Sequence, residues 1–289
     1  MVYVLYNPLA GNHTGRQSAQ ALADQFPQES VTFQDTIDIK DVYSFLAAVE
    51  KTDRVIIAGG DGTLNRLAND LNGRVPPCPV YYFPVGSGND FYADRKQYAE
   101  NGLILLNPYL RDLPTVTVQG KTHRFLNGIG YGIDGYCCEV GDKLRERTNK
   151  PVNYAKIAIQ GLLFHFRPAS AVVTVDGVKR TYRKVWLAPT MNGRFYGGGM
   201  MIAPDQNRAN TAHELSLVLI HDSGKFKTLV VFPSIFKGKH TSHTEMVDVL
   251  TGHDITVEFD RPTALQIDGE TVSGVTSYHC VSAKVPAKV

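Results

Sequence analysis

Short apolar runs alternate with helically spaced apolar residues through the first part of the chain. The runs are rich in β-branched and aromatic residues and predict strands at Val2–Tyr6, Val31–Asp35, Val55–Ala58 and Val80–Pro84. Between them, apolar residues recur every three or four positions, predicting helices at Gly15–Phe26, Asp41–Glu50 and Leu64–Leu71. Strands that alternate with helices favour a parallel sheet covered by crossover helices. Residues 1–115 are therefore predicted to form an α/β domain.

The pattern changes at about residue 116, where strand-like runs follow one another with turn residues between them. These runs are Val116–Val118, Arg124–Asn127, Ala171–Val175, Lys184–Ala188, Leu215–Ile220 and Ile255–Phe259. Only Asn153–Phe166 is typical of a substantial helix there, with Phe226–Phe236 as a second candidate. Residues 116–280 are predicted to form a β-rich, sandwich-like domain, and the extreme C-terminus is expected to return to the first domain.

Composition narrows the classes of partner. The 289 residues carry a formal net charge of +2, which gives no global electrostatic reason to expect nucleic-acid binding. No uninterrupted apolar run of 18 residues occurs, so no transmembrane segment is predicted. The opening MVYVLYNPLAG is broken by Asn7 and Pro8 and is typical of a first strand, not of a signal peptide. Four cysteines without CxxC spacing favour reduced thiols and a cytoplasmic location.

The stretch VIIAGGDGTLNRLANDL combines a strand, a glycine turn and a helix. Glycines let a ligand approach the backbone, and the helix N-terminus favours an anion such as phosphate. Thr63 can cap the helix or contact a phosphate oxygen. Asp61 suits such a site only if a divalent cation lies between its carboxylate and the phosphates. The alternative is a tight strand–helix turn that binds nothing.

A second glycine loop, PVGSGNDF, follows the next predicted strand, and Asn7-Pro8 follows the first. If the strands are neighbours, all three loops lie at one edge of the sheet. A ligand that carries phosphates and a metal ion fits this combination, and a nucleoside triphosphate is the simplest such ligand.

Seven segments in order carry a family resemblance: YNPLAG, AGGDGTLNRLANDL, PVGSGNDF, FLNGIGYGIDGYCCE, NYAKIAIQGLL, WLAPTMNGRFYGGGMMIAPDQ and LQIDGETV. Together they resemble the diacylglycerol kinase catalytic domain of the soluble lipid kinases. This superfamily also includes sphingosine kinases, NAD kinases and 6-phosphofructokinases. The resemblance implies a nucleotide-binding α/β domain of the NAD kinase/phosphofructokinase type, a β-rich lipid-binding domain, and ATP bound in the cleft between them.

The resemblance also implies residue roles. The ATP-contacting positions would be Asn7, Thr36, Gly59, Gly60, Asp61, Gly62, Thr63, Leu64, Asn65 and Ser87. Ser87 stands where the family more usually has threonine, and the hydroxyl is retained.

The late acidic motif Asp268-Gly269-Glu270 is the second element that the resemblance implies. Glu270 would be the base for the lipid hydroxyl, and Asp61 and Asp268 would complete the catalytic group and bind Mg²⁺. From the residues alone, Asp-Gly is a strong hairpin signal, and both interpretations can hold at once. Asp134, in YGIDG, would join the acidic cluster.

One segment departs from the family. Several bacterial relatives have P.A…DGL, in which an aspartate helps to hold a structural Mg²⁺, whereas this chain has APDQNRANTAHELSLVLIH. His213-Glu214 replaces the expected Asp-Gly, and histidine is a poor Mg²⁺ ligand. Glu214 or Asp205 would have to supply the lost oxygen.

Three further patterns have two interpretations each. Residues 130–135 fit GxGxxG but lack a βαβ context, so a dinucleotide site is not expected. His240, His243 and Glu245 could bind zinc, but a surface loop is favoured. Residues 225–240 alternate lysines with large apolar side chains. This pattern suits a membrane interface, but a core-facing amphipathic helix interrupted by Pro233 is favoured.

The sequence therefore predicts a Mg²⁺- and ATP-dependent lipid kinase that phosphorylates the hydroxyl of a diacylglycerol-like lipid at the membrane surface. Phosphorylation of NAD or a sphingoid base by the same machinery is one alternative, and a nucleotide-binding regulator without catalysis is another. Peripheral membrane contact and a homodimer are open expectations.

Overall fold

The computed structural model describes residues 1–8, 14–85, 88–147 and 152–283. The chain divides into two compact units, Met1–Leu113 and Pro114–Val289. The sequence pattern predicts the boundary between residues 115 and 116. The extreme C-terminus, which is expected to return to the first domain, lies mainly in residues 284–289, outside the described residues.

The first unit is built on a five-stranded sheet. Its strands are β1 (Val2–Tyr6), β2 (Val31–Asp35), β3 (Arg54–Gly59), β4 (Val80–Pro84) and β5 (Ile104–Leu105). Its α-helices are α1 (Gly15–Ala21), α2 (Val42–Ala48), α3 (Asp61–Leu71), α4 (Asp90–Arg95) and α5 (Asn107–Leu110), with 3₁₀ turns at Leu22–Gln25, Thr36–Asp38 and Lys96–Tyr98.

The strand order is β2-β1-β3-β4-β5. The first four strands are parallel, and only the edge strand β5 is antiparallel. Val2, Val4, Ile56 and Ala58 of the central strands are buried together with Leu22, as expected for a parallel sheet covered on both faces. The predicted α/β fold and its four strands are confirmed. Helix α3 begins at Asp61, three residues before the predicted start, because the periodicity marks only the apolar positions.

The second unit is dominated by a ten-stranded sheet. Its strands are β6 (Thr115–Val118), β7 (Lys121–Arg124), β8 (Gly128–Tyr131), β9 (Ala169–Val175), β10 (Val178–Val185), β11 (Thr190–Met191), β12 (Leu215–Ile220), β13 (Val247–Gly252), β14 (Asp254–Ile267) and β15 (Glu270–Val281). Its α-helices are α6 (Ile133–Arg147), α7 (Tyr154–Gln160) and α8 (Lys225–Val231). A π-helical turn at Gly161–His165 follows α7, and 3₁₀ turns at Phe232–Lys237 and Lys239–Ser242 follow α8.

Strand β14 explains how this sheet folds around one core. Its first half pairs with β9 and its second half with β8, while β15 accompanies it along its length. The register shifts between Glu258 and Thr263, around Pro262, which has no amide hydrogen to donate. Side chains from both halves meet in one core, where the rings of Tyr131 and Phe259 stack with centroids 3.9 Å apart. The predicted sandwich-like β-rich domain is confirmed.

Several predicted elements of the second unit are wrong. Helix α6 was missed because its buried face carries small residues, among them Gly135, Cys137 and Gly141, which give no periodicity of large apolar side chains. The predicted strand Arg124–Asn127 straddles the gap between β7 and β8, and most of Lys184–Ala188 lies beyond β10. The predicted helices over 153–166 and 226–236 each begin as an α-helix and end in a π or 3₁₀ turn.

None of the helices in the described part of the chain combines the length and apolar character that a bilayer crossing requires.

Candidate functional site

The carboxyl ends of strands β1 to β4 meet at one edge of the first sheet. Tyr6 pairs with both Asp35 and Ala58, and Gly59 pairs with Pro84. The segments that begin with Asn7, Thr36 and Gly60 therefore start at this edge. The strand order reverses direction between β1 and β3, which is where open α/β sheets bind ligands. The neighbouring strands assumed in the sequence analysis are confirmed, whereas Ser87 lies outside the described residues.

The turn after β3 leads directly into helix α3. Gly60 is the N-cap residue in an extended conformation and has no side chain to cap the helix. The amide of Thr63 donates to the Gly60 carbonyl at 3.0 Å, so Thr63 lies in the first helical turn and is not the cap considered for it. Because the first amides of an α-helix have no intrahelical acceptor, this uncapped start suits an anion.

Some residues of this turn are needed for packing within the described part of the protein, and Gly60 is not. Leu64 is 1% exposed and belongs to the core. The side chain of Asn69 donates to the carbonyl and side-chain oxygen of Asn65. A Cβ at Gly59 would collide with the side chain of Thr63, so packing alone requires that glycine. Gly60 differs, because among the described residues a Cβ there would meet nothing nearer than the Val85 carbonyl oxygen at 3.5 Å.

Asp61 connects the two glycine loops. Its Oδ2 accepts a hydrogen bond from the Asp90 amide at 2.7 Å, and its Oδ1 accepts one from the Phe91 amide at 3.0 Å. The carboxylate thus caps the start of α4 from a neighbouring helix. Below it, the buried Tyr82 hydroxyl donates to Asn89 Oδ1 at 3.1 Å. Burial raises the pKa of Tyr82 well above its ordinary value, and the Asp61 and Asp90 carboxylates add to that rise.

Asp90 is a further candidate site residue, although the sequence singles it out only as part of the motif PVGSGNDF. Its side chain is 5% exposed, and its amide is bound to Asp61. The available signal was its position directly after the second glycine loop.

The Asp-Gly turn in the second unit is a two-residue hairpin. Ile267 pairs with Glu270, and the turn residues Asp268 and Gly269 have φ angles of 46° and 97°, as a type I′ turn requires. The hairpin interpretation is confirmed. Asp268 is 6% exposed, so its carboxylate depends on partners from the protein.

Those partners include three backbone amides from the segment between β7 and α6. Asp268 Oδ2 accepts from the Leu126 amide at 2.6 Å, and Oδ1 accepts from the amides of Asn127 and Gly128 at 2.8 and 2.9 Å. Amide donors stabilise the ionised carboxylate. Asp268 therefore joins the hairpin to a segment 140 residues away, in addition to any role in catalysis.

Glu270 stands at the exposed end of this hairpin. The strand behind it is attached to helix α6, because Thr271 Oγ1 donates to Asp142 Oδ2 at 2.6 Å and Ser273 Oγ donates to Glu139 Oε1 at 3.1 Å. The backbone that carries Glu270 is thus fixed, while its carboxylate is accessible.

Asp134 lies in the interior of the second unit, at the start of α6, with 6% of its surface exposed. Among the described residues none makes a hydrogen bond of ordinary geometry to either oxygen. Burial raises the pKa of Asp134 to about 6, opposed by the nearby amides of Gly135 and Asp134 and by the Tyr196 hydroxyl. A Cβ at Gly130 would collide with this carboxylate, and one at Gly135 with the Ala264 carbonyl. Close packing therefore accounts for these two glycines of the GxGxxG pattern.

The segment in which His213-Glu214 departs from the family pattern is held by an amide side chain. Asp205 and Glu214 line a cavity of about 200 Å³, but Gln206 Nε2 donates to the carbonyls of Met191 and Glu214 at 3.0 and 2.9 Å. Both carbonyl oxygens therefore accept a hydrogen bond from Gln206. Across the ranges that the structure describes, no three His, Cys, Asp or Glu side chains are grouped to hold a metal ion. The residues do not fit a structural Mg²⁺.

Two family descriptions match this chain. Residues 1–102 match the diacylglycerol kinase catalytic domain, and residues 127–286 match the YegS C-terminal NAD kinase beta sandwich-like domain.

Individual relatives agree with these matches. A diacylglycerol kinase of Mycobacterium tuberculosis is 27% identical over 280 residues, covering 90% of this chain and 85% of the relative. A diacylglycerol kinase of Bacillus subtilis is 23% identical over 276 residues, covering 92% and 88%. The crystal structure of a diacylglycerol kinase from Bacillus anthracis str. Sterne has a TM-score of 0.60 at 18% identity, covering all of this chain and 98% of that one. At this identity, the structural likeness shows the fold alone.

Proposed function

We propose that this chain transfers the γ-phosphoryl group of ATP to the hydroxyl of a diacylglycerol-like lipid. It belongs to the family of the YegS C-terminal NAD kinase beta sandwich-like domain, also matches the diacylglycerol kinase catalytic domain over residues 1–102, and is a kinase of the lipid-kinase type. The choice of diacylglycerol as acceptor rests on the relatives, which are named diacylglycerol kinases. The residue roles below are inferred from the local geometry.

The observation that carries the nucleotide assignment is Gly60. Its φ of −101° is open to any residue, and the described neighbours leave space for a Cβ. Neither conformation nor packing against the described residues therefore requires glycine at the start of α3. A phosphate approaching the backbone at this helix N-terminus supplies the missing reason. Asn7, Thr36 and Ser87 would add contacts from the neighbouring loops.

Mg²⁺ suits this chemistry, because in kinases it is held by substrate phosphates and only one or two carboxylates. Asp61 and Asp268 fit that small share. Each accepts hydrogen bonds from backbone amides, and a carboxylate offers about four lone-pair sites. When bound, the cation would neutralise charge on the phosphates.

Glu270 would accept the proton of the lipid hydroxyl as that oxygen attacks the γ-phosphorus. Its exposed carboxylate on an anchored hairpin can meet an acceptor without unfolding the turn. Asp268 would set the position of Glu270, because its hydrogen bonds with three backbone amides fix the turn that leads to Glu270.

The test is phosphoryl transfer from radiolabelled ATP with Mg²⁺ to a panel of diacylglycerol, sphingosine and NAD. Diacylglycerol should be labelled fastest. Glu270→Gln should lower turnover by about 10²- to 10⁴-fold while ATP affinity changes little. Glu258→Gln, an exposed glutamate on β14, is the matched control and should keep full turnover.

The panel also separates the alternatives. If sphingosine or NAD is labelled faster than diacylglycerol, the proposed acceptor is wrong but the protein is still a kinase. ATP binding without transfer to any acceptor would instead indicate a regulator. Equal turnover in Glu270→Gln and the unmodified protein would end the assignment of Glu270 as base.

A further inference from the structure

The helical layer of the second unit exposes large apolar side chains in two segments. Phe226 is 80% exposed, Val230 79% and Phe164 73%, and Ile159 and Phe236 are nearly half exposed. Single exposed apolar residues are ordinary, but several in adjoining segments mark an interaction site. These five side chains are termed the docking surface.

The two segments adjoin each other. One consists of α7 with its π turn and carries Ile159 and Phe164, and the other consists of α8 with the following 3₁₀ turn. Lys225 Nζ donates to the Leu163 carbonyl at 3.1 Å and joins them. Their inward residues, Leu162 of the first and Val231 and Phe232 of the second, belong to one buried cluster.

Helix α8 has features of both interpretations of residues 225–240, the core-facing helix and the membrane-interface segment. Thr228 and Val231 are buried, as a core-facing helix requires, whereas Phe226 and Val230 face solvent. Because Phe226 and Val230 are four residues apart, they lie on one helical face. The helix therefore packs on the core with one side and leaves an apolar stripe on the other.

The basic residues around this apolar stripe indicate the kind of partner that it would bind. Residues 152–168 and 224–244 contain six Lys and Arg and no Asp or Glu, although the whole chain has a formal net charge of only +2. All six basic side chains are exposed, namely Lys156, Arg167, Lys225, Lys227, Lys237 and Lys239. One acidic side chain approaches them from outside these segments, since Lys227 Nζ lies 2.8 Å from Glu245 Oε1. Exposed aromatic rings among basic residues are complementary to anionic headgroups above a hydrocarbon layer.

We infer that the docking surface inserts into the interface of an anionic lipid bilayer, with the surrounding Lys and Arg side chains at the headgroups. The inference goes beyond the proposed reaction and does not depend on it, because membrane binding is measured without turnover.

The test is sedimentation with vesicles of phosphatidylcholine alone or mixed equally with phosphatidylglycerol. The protein should bind the mixed vesicles more tightly, and added salt should weaken that binding. Phe226→Ser and Phe164→Ser should each weaken it about tenfold or more. Lys237→Gln and Lys239→Gln should each weaken it about fivefold. Val178→Ser and Lys179→Gln, exposed positions on β10, are matched controls and should bind as the unmodified protein does.

A second measurement covers the case in which a serine variant fails to fold. Phe226→Trp should be quenched by brominated lipid chains in mixed vesicles, while Trp186, which is 1% exposed, serves as an unquenched internal reference. Turnover on a soluble short-chain diacylglycerol should be unchanged in Phe226→Ser.

Three results would overturn the inference. These are equal binding to both vesicle types, unchanged binding by folded Phe226→Ser, or a solution dimer that Phe226→Ser dissociates, which would make a second copy the occupant. Vesicle binding by a protein that labels no acceptor would refute the proposed function alone.

Discussion

Asp61 and Asp268 both hold backbone amides of a neighbouring segment, yet the glycines beside them differ. In the hairpin, Gly269 has a φ of 97°, a conformation that other residues rarely adopt. In the strand–helix turn, Gly60 has a φ of −101°, which any residue can adopt. The backbone explains the hairpin glycine and leaves the turn glycine unexplained unless something binds there. Similar motifs can thus have a conformational reason for glycine in one unit and, under the proposed function, a ligand-binding reason in the other.

The largest expected effect is on stability, and it differs between the carboxylates of Asp268 and Asp61. Asp268→Ala removes the hydrogen bonds from the amides of Leu126, Asn127 and Gly128 to a buried carboxylate and should lower the free energy of unfolding by about 4 kcal/mol. Asp61→Ala removes those from the amides of Asp90 and Phe91 to a more exposed carboxylate and should cost about 2 kcal/mol. Urea unfolding would measure both, with the buried Trp186 reporting on the second unit. A loss below about 1 kcal/mol for Asp268→Ala would contradict its structural role.

A third carboxylate sharpens the comparison, because Asp134 is buried without the amide hydrogen bonds of the other two. Its pKa of about 6 in the folded chain exceeds the ordinary 3.8, so the folded state holds the proton more tightly. The contribution of this group to stability is therefore full below pH 4 and is lost as pH rises to about 6. Asp134→Asn should gain up to about 3 kcal/mol above pH 6 and nothing near pH 4.

Thermal unfolding across this pH range would check the prediction. Asp24→Asn, which changes an exposed aspartate, is the control and should follow the unmodified protein at every pH. A gain for Asp134→Asn that does not vary with pH would show that the carboxyl does not titrate in this window.

The smallest expected effects test the glycines themselves. Gly269→Ala should cost about 1–2 kcal/mol of stability and leave ATP affinity unchanged. Gly60→Ala should change stability by less than about 1 kcal/mol, because alanine is less favoured than glycine at an N-cap but restricts the unfolded chain. ATP binding should weaken about tenfold, because a methyl group would stand where the phosphate approaches. Calorimetric unfolding and ATP titration of both variants would measure this exchange of effects. Unchanged ATP affinity in Gly60→Ala would remove the main support for a nucleotide at this turn.

The elements that sequence reasoning located well are those whose own residues determine them. Val31–Asp35, Val80–Pro84 and Leu215–Ile220 have the predicted bounds because each is a run of strand-forming residues between turn residues. Helix α6 was missed because it packs through glycine and cysteine, whose small side chains permit close approach without a hydrophobic pattern.

The features of the candidate site also differ in whether local sequence predicts them. The glycine turn, the neighbouring loops and the hairpin follow from local sequence. The partners of Asp268 do not, because Leu126–Gly128 are remote in sequence and contribute backbone amides, which every residue type carries. The burial of Asp134 likewise depends on strands that pack around it, and nothing in YGIDG alone indicates it.

The position of β14 and β15 at the end of the second unit has a consequence for synthesis. The first unit is complete once Leu113 has emerged from the ribosome, whereas β8 and β9 cannot pair with β14 until about residue 267 has emerged. At typical elongation rates this interval lasts about 10–30 s. During it, an apolar core without its central strand is open to chaperones and proteases, so a message truncated before residue 254 would yield a folded first unit attached to a degradable remainder.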